Sequence, residues 1–236
     1  MIKRLLIDAY QGAASLLYPT LCLNCQTTIR PAAEPPLCLH CFSNLSFTNY
    51  WNLPENDLTD RFAGRVPLVT AVALLDYGHG SVCQELIHAL KYHNRPNVGE
   101  QLGKMLGEHL SNHAFLSDLD AIVPVPIHRK RLRKRGYNQA LHIARGLAAK
   151  MDLPVREHGL IRTDFKGSQT TLGSLDRLKN VADLFAVGKH DFTGQHVLLV
   201  DDVVTTGATL DYCAQPLLEK FPGLRISIAT LAAAQL

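Results

Sequence analysis

The chain has 236 residues, 47% of them apolar and 19% charged, which excludes a disordered or low-complexity protein and leaves room for one α/β domain plus a small appendage. Its 24 basic and 21 acidic residues give a net charge of +3, too little to argue for nucleic acid by itself, so the placement of charge matters more. No apolar run approaches the roughly 20 residues that span a bilayer, so stable membrane insertion is not expected.

At the amino terminus Lys3 and Arg4 lead into apolar residues, but Asp8, Gln11 and the lack of a compact apolar stretch argue against a secretory signal. Ile2, Leu5, Leu6, Ala9, Ala13, Leu16 and Leu17 fall at helical spacing, which predicts an amphipathic helix over 1–20 that docks on the protein. Cys22-Leu-Asn-Cys25 and Cys38-Leu-His-Cys41 follow, two Cys-x-x-Cys pairs with twelve residues between them. Four thiolates complete the tetrahedron that structural zinc prefers, and the Pro-rich stretch around Pro31, Pro35 and Pro36 is too small to bury a core of its own. Residues 21–45 are therefore expected to form a zinc module, with His40 a bystander and an iron–sulfur cluster the lesser metal reading. Without a secretory signal the expected compartment is the reducing cytoplasm, which disfavours a disulfide reading; a lone redox pair would leave the second one unexplained. Cys83 and Cys213 read as small buried apolar residues.

Residues 46–65 are polar, carry the single Trp51, and are expected to be a linker on the surface. Val66 to Tyr77 predicts a strand or hairpin ended by Gly78-His79-Gly80. Val82, Leu86, Ile87 and Leu90, then Val98, Leu102, Met105, Leu106 and Leu110, predict two helices broken at Pro96. Lys91-Tyr92 closes the first and is a candidate for substrate contact, although a solvated last-turn lysine is the readier account.

Asp120 to Pro126 predicts a short buried strand stopped by prolines, and His128 to Gly136 then carries six cations in seven residues. A solvated basic face is the ordinary account of such a run. Its position, after a strand end and before a helix predicted from the cap Asn138 through Met151, favours a pyrophosphate loop, because Arg forks match phosphate oxygens. Pro126, His128, Arg129, Arg131, Arg135 and Gly136 are its candidate contacts. Residues 163–183 form a long polar connection of the kind that binds something or moves.

Val197 to Val200 reads as a buried parallel strand that delivers Asp201 and Asp202, and Thr205-Thr206-Gly207-Ala208-Thr209 turns into a helix predicted from Leu210 to Lys220. Backbone N–H groups at such a turn can wrap a phosphate. The two acids would repel that phosphate and so face sugar hydroxyls or a divalent cation. A Walker B strand would need an upstream Gly-x-x-x-x-Gly-Lys-Ser/Thr loop, which the sequence lacks, and a receiver domain would need most of its sheet in the 27 residues after Thr209. Arg225 to Leu231 predicts the last strand.

Val197 to Thr209 resembles the phosphoribosyl pyrophosphate (PRPP) signature of type I phosphoribosyltransferases. The resemblance implies that Asp201 and Asp202 are the catalytic pair that meets the ribose hydroxyls, that Val203, Val204 and Thr205 to Thr209 hold the 5-phosphate, and that Mg²⁺ accompanies PRPP. Pro124-Val-Pro-Ile-His128, Arg131 and Arg135-Gly-Tyr-Asn-Gln-Ala140, with the four cysteines, Leu90-Lys91-Tyr92, and Arg162-Thr163 followed by Gln169, Leu172, Arg177, Asn180 and Phe185, resemble the ComF family of competence-associated proteins from Cys22 to about Thr230. This implies a type I phosphoribosyltransferase-like α/β fold over 66–236, a parallel sheet flanked by helices behind a small zinc module. It also implies a flexible loop that presents Arg162, Gln169, Arg177 and Asn180, and a role in natural transformation, through handling of imported DNA or nucleotide salvage. Pentosyl transfer stays open, since a hood over the acceptor would have to come from the zinc region, the Val66 to Tyr77 stretch or a partner. The alternative is a non-enzymatic PRPP or nucleotide sensor that binds single-stranded DNA beside DNA-uptake or recombination proteins. Both readings require the strand ends before His128 and at Asp201 to lie side by side.

Overall fold

The computed structural model describes residues 19–30, 33–163 and 184–234. Residues 1–18 of the helix expected over 1–20 and the loop residues Gln169, Arg177 and Asn180 lie outside the described residues, and residues 19 and 20 are not helical. The described strands are β1 (Ala71–Tyr77), β2 (Ala121–Pro124), β3 (Leu160–Arg162), β4 (Phe185–Val187), β5 (His196–Val204) and β6 (Arg225–Ala234). Four of them form a parallel sheet in the order β1-β6-β5-β2, while β3 and β4 pair antiparallel on their own. The helices are α1 (Leu39–Ser43), α2 (Asp57–Asp60), α3 (Val82–Tyr92), α4 (Pro96–Leu110), α5 (Arg129–Arg135), α6 (Gln139–Met151) and α7 (Ala208–Lys220). Among the described residues no helix is long and apolar enough to cross a membrane.

The sheet is buried on both faces, which is why Val197 to Val200 of β5 read as an unbroken apolar run. Leu198 and Val200 pack into one core with residues of α3, α4 and α6, whereas Val197 and Leu199 pack into the other with Leu210, Cys213, Ala214 and Leu217 of α7. The predicted helices fall where their periodicity put them, with Ser81 and Asn138 as side-chain caps and Pro96 in the first turn of α4. Helices α4 and α6 touch backbone to backbone: a Cβ on Gly146 would lie 2.1 Å from the Glu100 carbonyl oxygen, and one on Gly103 would lie 2.3 Å from that of Ile143. The start of α6 is fixed in turn by Asn138, whose Nδ2 donates to the Val125 carbonyl at 3.0 Å.

Four expectations are corrected. The stretch 46–65 is not a surface linker: Trp51, Leu58 and Phe62 are buried, and the Thr48 N–H donates to Leu74 O at 3.0 Å while Ser46 O accepts from Asp76 N at 2.8 Å. The segment covers the otherwise open edge of β1. Its polarity misled because Asn56 spends its side chain capping α2, where Oδ1 accepts from the N–H groups of Leu58 and Thr59. The basic run is not an open loop either, for Arg129 to Arg135 wind into about two helical turns closed at Gly136. The last strand also continues past Leu231 to Ala234, and the first begins at Ala71 rather than Val66.

Candidate functional site

Strands β2 and β5 are parallel neighbours, with Pro124 opposite Val200 and the Val125 N–H donating to Val200 O at 2.8 Å. The cationic α5 and the acids of β5 therefore emerge at the same edge of the sheet, the side where open α/β sheets bind ligands. Alternation along β5 turns Asp201 and Asp202 to opposite faces. Asp202 faces α3 and forms an ion pair with Lys91, 2.9 Å between Nζ and Oδ1. Asp201 accepts the Asp202 N–H at 2.8 Å, and burial followed by the neighbouring Asp202 carboxylate pushes its carboxyl up to about 7, although the Lys91 and Arg162 cations act against that rise.

The turn after β5 is held from outside. Gly207 has φ +83°, and a Cβ there would fall 2.7 Å from the Phe62 ring. Arg61 donates to the carbonyls of Thr205 (3.3 Å) and Ala234 (2.7 Å), and Arg65 donates to that of Thr206 at 3.0 Å while it pairs with Asp211 at 2.6 Å. Guanidinium groups thus take up the turn's carbonyls, and the first turn of α7 leaves backbone N–H groups without partners in the helix, the condition for an anion site. Asp201 and the run Val203 to Leu210 line a cavity of about 60 Å³ at this turn.

The expected pyrophosphate contacts are divided by α5. Arg131 and Arg135 line a cavity of about 280 Å³ shared with Lys91 and Tyr92, whereas Pro126, Arg129, Gly136 and Arg162 line a groove of about 570 Å³ on the other side. His128 acts as the helix cap, its Nδ1 accepting from Lys130 N at 3.0 Å. Arg162 stacks over Phe185 at 5.1 Å with Nε buried and unbonded; burial, then the nearby Arg131, lowers its pKa. Sequence reasoning weighed Lys91 but favoured a solvated lysine, and it missed Arg61, Arg65 and Asp211. The two arginines lay in the supposed linker, where their four-residue spacing was the available signal.

The four cysteines converge. All four Sγ atoms lie within 4.8 Å of one another, and Cys25 and Cys38 approach to 3.6 Å. A tetrahedron with metal–sulfur bonds of about 2.3 Å has edges of about 3.8 Å, whereas a disulfide would bring two sulfurs to about 2.05 Å. All four are free thiols in an arrangement that can hold a tetrahedral metal ion. Thr27 beside Cys25, through its hydroxyl and then its backbone, lowers that thiol to about 6, whereas against the Asn24 amide, burial and the three other thiols push Cys41 up to about 12, so protons are shared unevenly among the four. This segment does not cover the diacid edge through its aromatic contacts. Phe42 packs on Phe47, and Phe47 and Trp51 pack on His109, about 20 Å along α4 from Pro96.

Residues 137–235 match the phosphoribosyl transferase domain family. The chain is 30% identical over 219 residues to competence protein F of Haemophilus influenzae, a match that covers 91% of this chain and 90% of that protein. It is 32% identical over 136 residues to the DNA utilization protein YhgH of Escherichia coli, covering 56% and 60% of the two chains. It is 36% identical over 110 residues to competence protein ComFC of Bacillus subtilis, covering 47% and 43%.

Proposed function

Because the chain belongs to the ComF family of competence-associated, phosphoribosyltransferase-like proteins, we propose that it binds PRPP with Mg²⁺ across the carboxyl edge of β5 and β2 and serves DNA use during natural transformation. The observation that carries this reading is the adjacency of those two strand ends, which sets Asp201 and Asp202, the Thr205 to Thr209 turn and the cations of α5 around one edge. In this assignment Thr205 to Thr209 hold the 5-phosphate, Asp201 and Asp202 the ribose hydroxyls, and Arg131 and Arg135 the pyrophosphate. Mg²⁺ would neutralise departing pyrophosphate as charge develops at ribose C1, and the protein's part is to position and screen. The four cysteines hold a structural zinc ion in the same reading.

Calorimetric titration with PRPP, with and without Mg²⁺, tests the assignment. Saturable binding that requires Mg²⁺ and weakens about a hundredfold in Asp202→Asn is the expected result. Affinity in that variant equal to wild type would sink it. Pyrophosphate release with an added acceptor then separates a transferase from a sensor.

A second reading is favoured by α5 itself, which has no buried residue and carries Arg133, Lys134 and Arg135 in its last turn. Such a helix beside the groove lined by Arg129, Arg145 and Arg162 suits the phosphate backbone of single-stranded DNA. Affinity for an oligonucleotide that falls steeply with salt, with no pyrophosphate release for any base, supports that accessory role and DNA-uptake or recombination proteins as neighbours.

A further inference from the structure

Among the described residues, β3 has a single strand neighbour, β4. The Thr163 N–H donates to Leu184 O at 3.0 Å and the Gly188 N–H to Gly159 O at 2.9 Å, so Gly159, Ile161 and Thr163 face β4. An antiparallel strand turns alternate residues to alternate edges, which leaves the N–H and C=O groups of Leu160 and Arg162 pointing the other way. Leu160 and Phe185 are buried in one core with residues of α7, which anchors this short pair.

That outer edge borders the groove of about 570 Å³. Leu160, Ile161 and Arg162 all line it, and because consecutive strand residues point to opposite faces, a groove that meets all three runs along the edge and not over one face. Helices α5 and α6 contribute Leu132 and Arg145 to the same groove. Leu132 is 40% exposed and Ile161 47%, large apolar groups that no phosphate would cover. Three guanidinium groups, on Arg129, Arg145 and Arg162, stand among the lining residues against a single carboxylate, that of Glu157. The Arg162 Nε is buried and has no hydrogen-bond partner.

A short edge strand that carries a cation is an ordinary guard against unwanted pairing, and that account covers Arg162. It leaves the two exposed apolar side chains unexplained. A single DNA strand would engage the cations but match neither the apolar pair nor the backbone edge. It would also lack a ring to stack on: the Tyr137 hydroxyl donates to Leu90 O, its ring meets His142 edge-on at 5.3 Å, and Glu100 holds His142 at 2.7 Å. An extended peptide matches all three features. Its backbone pairs with the edge, its apolar side chains cover Leu132 and Ile161, and its carboxylates meet the guanidinium groups.

We propose that this groove is a strand-addition site for a protein partner and takes an extended segment in which Asp or Glu alternates with aliphatic residues. Arg133 and Lys134, exposed on α5, are left to the phosphates of the second reading above. Occupation of the groove requires no PRPP, so this site stands or falls apart from the ligand edge of β5.

The test is fluorescence anisotropy of a labelled peptide, Asp-Val-Asp-Leu-Asp-Val, with the full chain. Lysine in place of aspartate reverses its charge, serine in place of the aliphatic residues removes the apolar contact, and N-methylation of alternate residues, made in both registers, removes backbone donors. Saturable micromolar binding of the parent is expected, about tenfold tighter than the lysine and serine versions and than one of the two methylated registers. Leu132→Ser and Ile161→Ser should each weaken the parent about fivefold while leaving affinity for an oligothymidylate unchanged. Arg145→Glu should narrow the preference for the aspartate over the lysine peptide about tenfold. Equal affinity of the parent and both methylated peptides, or no saturable binding of any peptide, overturns the proposal. Loss of oligothymidylate affinity in both serine variants as large as the peptide's gives the groove to DNA and overturns it too. So does a dimer in sedimentation that Ile161→Ser dissolves, because the groove then belongs to a second copy.

Discussion

Lys91 Nζ lies 2.9 Å from Asp202 Oδ1, so the last turn of α3 neutralises one of the two acids that β5 presents. Their side chains are 25% and 13% exposed, which places the pair between a surface bridge and a buried one. Removing the lysine leaves the carboxylate desolvated and uncompensated. Lys91→Met is expected to lower stability by about 1–3 kcal/mol in urea titrations, less than the 3–5 kcal/mol of a fully buried pair. Lys91→Met combined with Asp202→Asn should recover part of that loss, with a coupling energy above about 1 kcal/mol. Strict additivity of the two changes would mean that the pair contributes nothing.

Gly207 is fixed by its neighbours as much as by its own backbone. Its φ of +83° lies in the left-handed region, and any Cβ would strike Phe62 at 2.7 Å, a fully buried ring that has nowhere to go. Gly207→Ala is therefore expected to cost about 1–3 kcal/mol and to displace the Thr205 to Thr209 turn. Phe62→Leu in the same chain should return part of the PRPP affinity if the clash is the cause. Wild-type affinity in Gly207→Ala alone would contradict the role given to this turn.

How far the sequence carried follows from where its signals are local. Strand β5, its diacid and helix α7 were legible because a parallel strand buried on both faces must be apolar throughout, and a helix start must leave N–H groups free. The four cysteines were legible because tetrahedral ligation fixes their spacing. Arg61, Arg65 and Phe62 were not, because their function is to meet a turn about 140 residues later in the chain, as in the Arg65 to Thr206 contact. Lys91 was misread for the same reason: the end of a helix looks solvated until its long-range partner is known. Nor did periodicity reveal the close contact of α4 with α6, since the pattern marks the apolar positions and is silent about glycines packed against a carbonyl.

At the opposite edge of the sheet His196 is fully buried, its Nδ1 2.7 Å from Asp118 Oδ1 and its Nε2 2.8 Å from Ser227 Oγ. Ser227 is fully buried as well, so this Ser-His-Asp arrangement has no access to substrate and ties β5 to β6. His196 and then Arg225 hold the Asp118 carboxyl below its ordinary range. A depressed carboxylate contributes stability that is present above its unfolded value of about 3.9 and lost as pH falls through the lower folded value. Because half of the Asp118 side chain is in water, which screens the pair, Asp118→Asn should cost no more than about 1 kcal/mol at neutral pH, and the gap to wild type should close at the acid end of a urea-titration series. A gap that stays constant with pH would assign the loss to packing.

Trp51, the single tryptophan, reports on the four-cysteine segment without a label. It stacks on His109 with 4.5 Å between centroids and shares a core with Cys22, Leu37, Cys41 and Leu45. Only a few apolar side chains support residues 21–45, so the free energy of metal binding is expected to supply much of their order. Metal analysis should find one zinc ion per chain. Chelation should then shift Trp51 emission to the red, with zinc restoring it, while Phe62 and Leu58, which pack in the other core with residues of α7, keep the Thr205 to Thr209 turn in place. PRPP affinity is accordingly expected to change less than about threefold on chelation. Complete loss of PRPP binding together with the red shift would show the module and the ligand edge to be one cooperative unit.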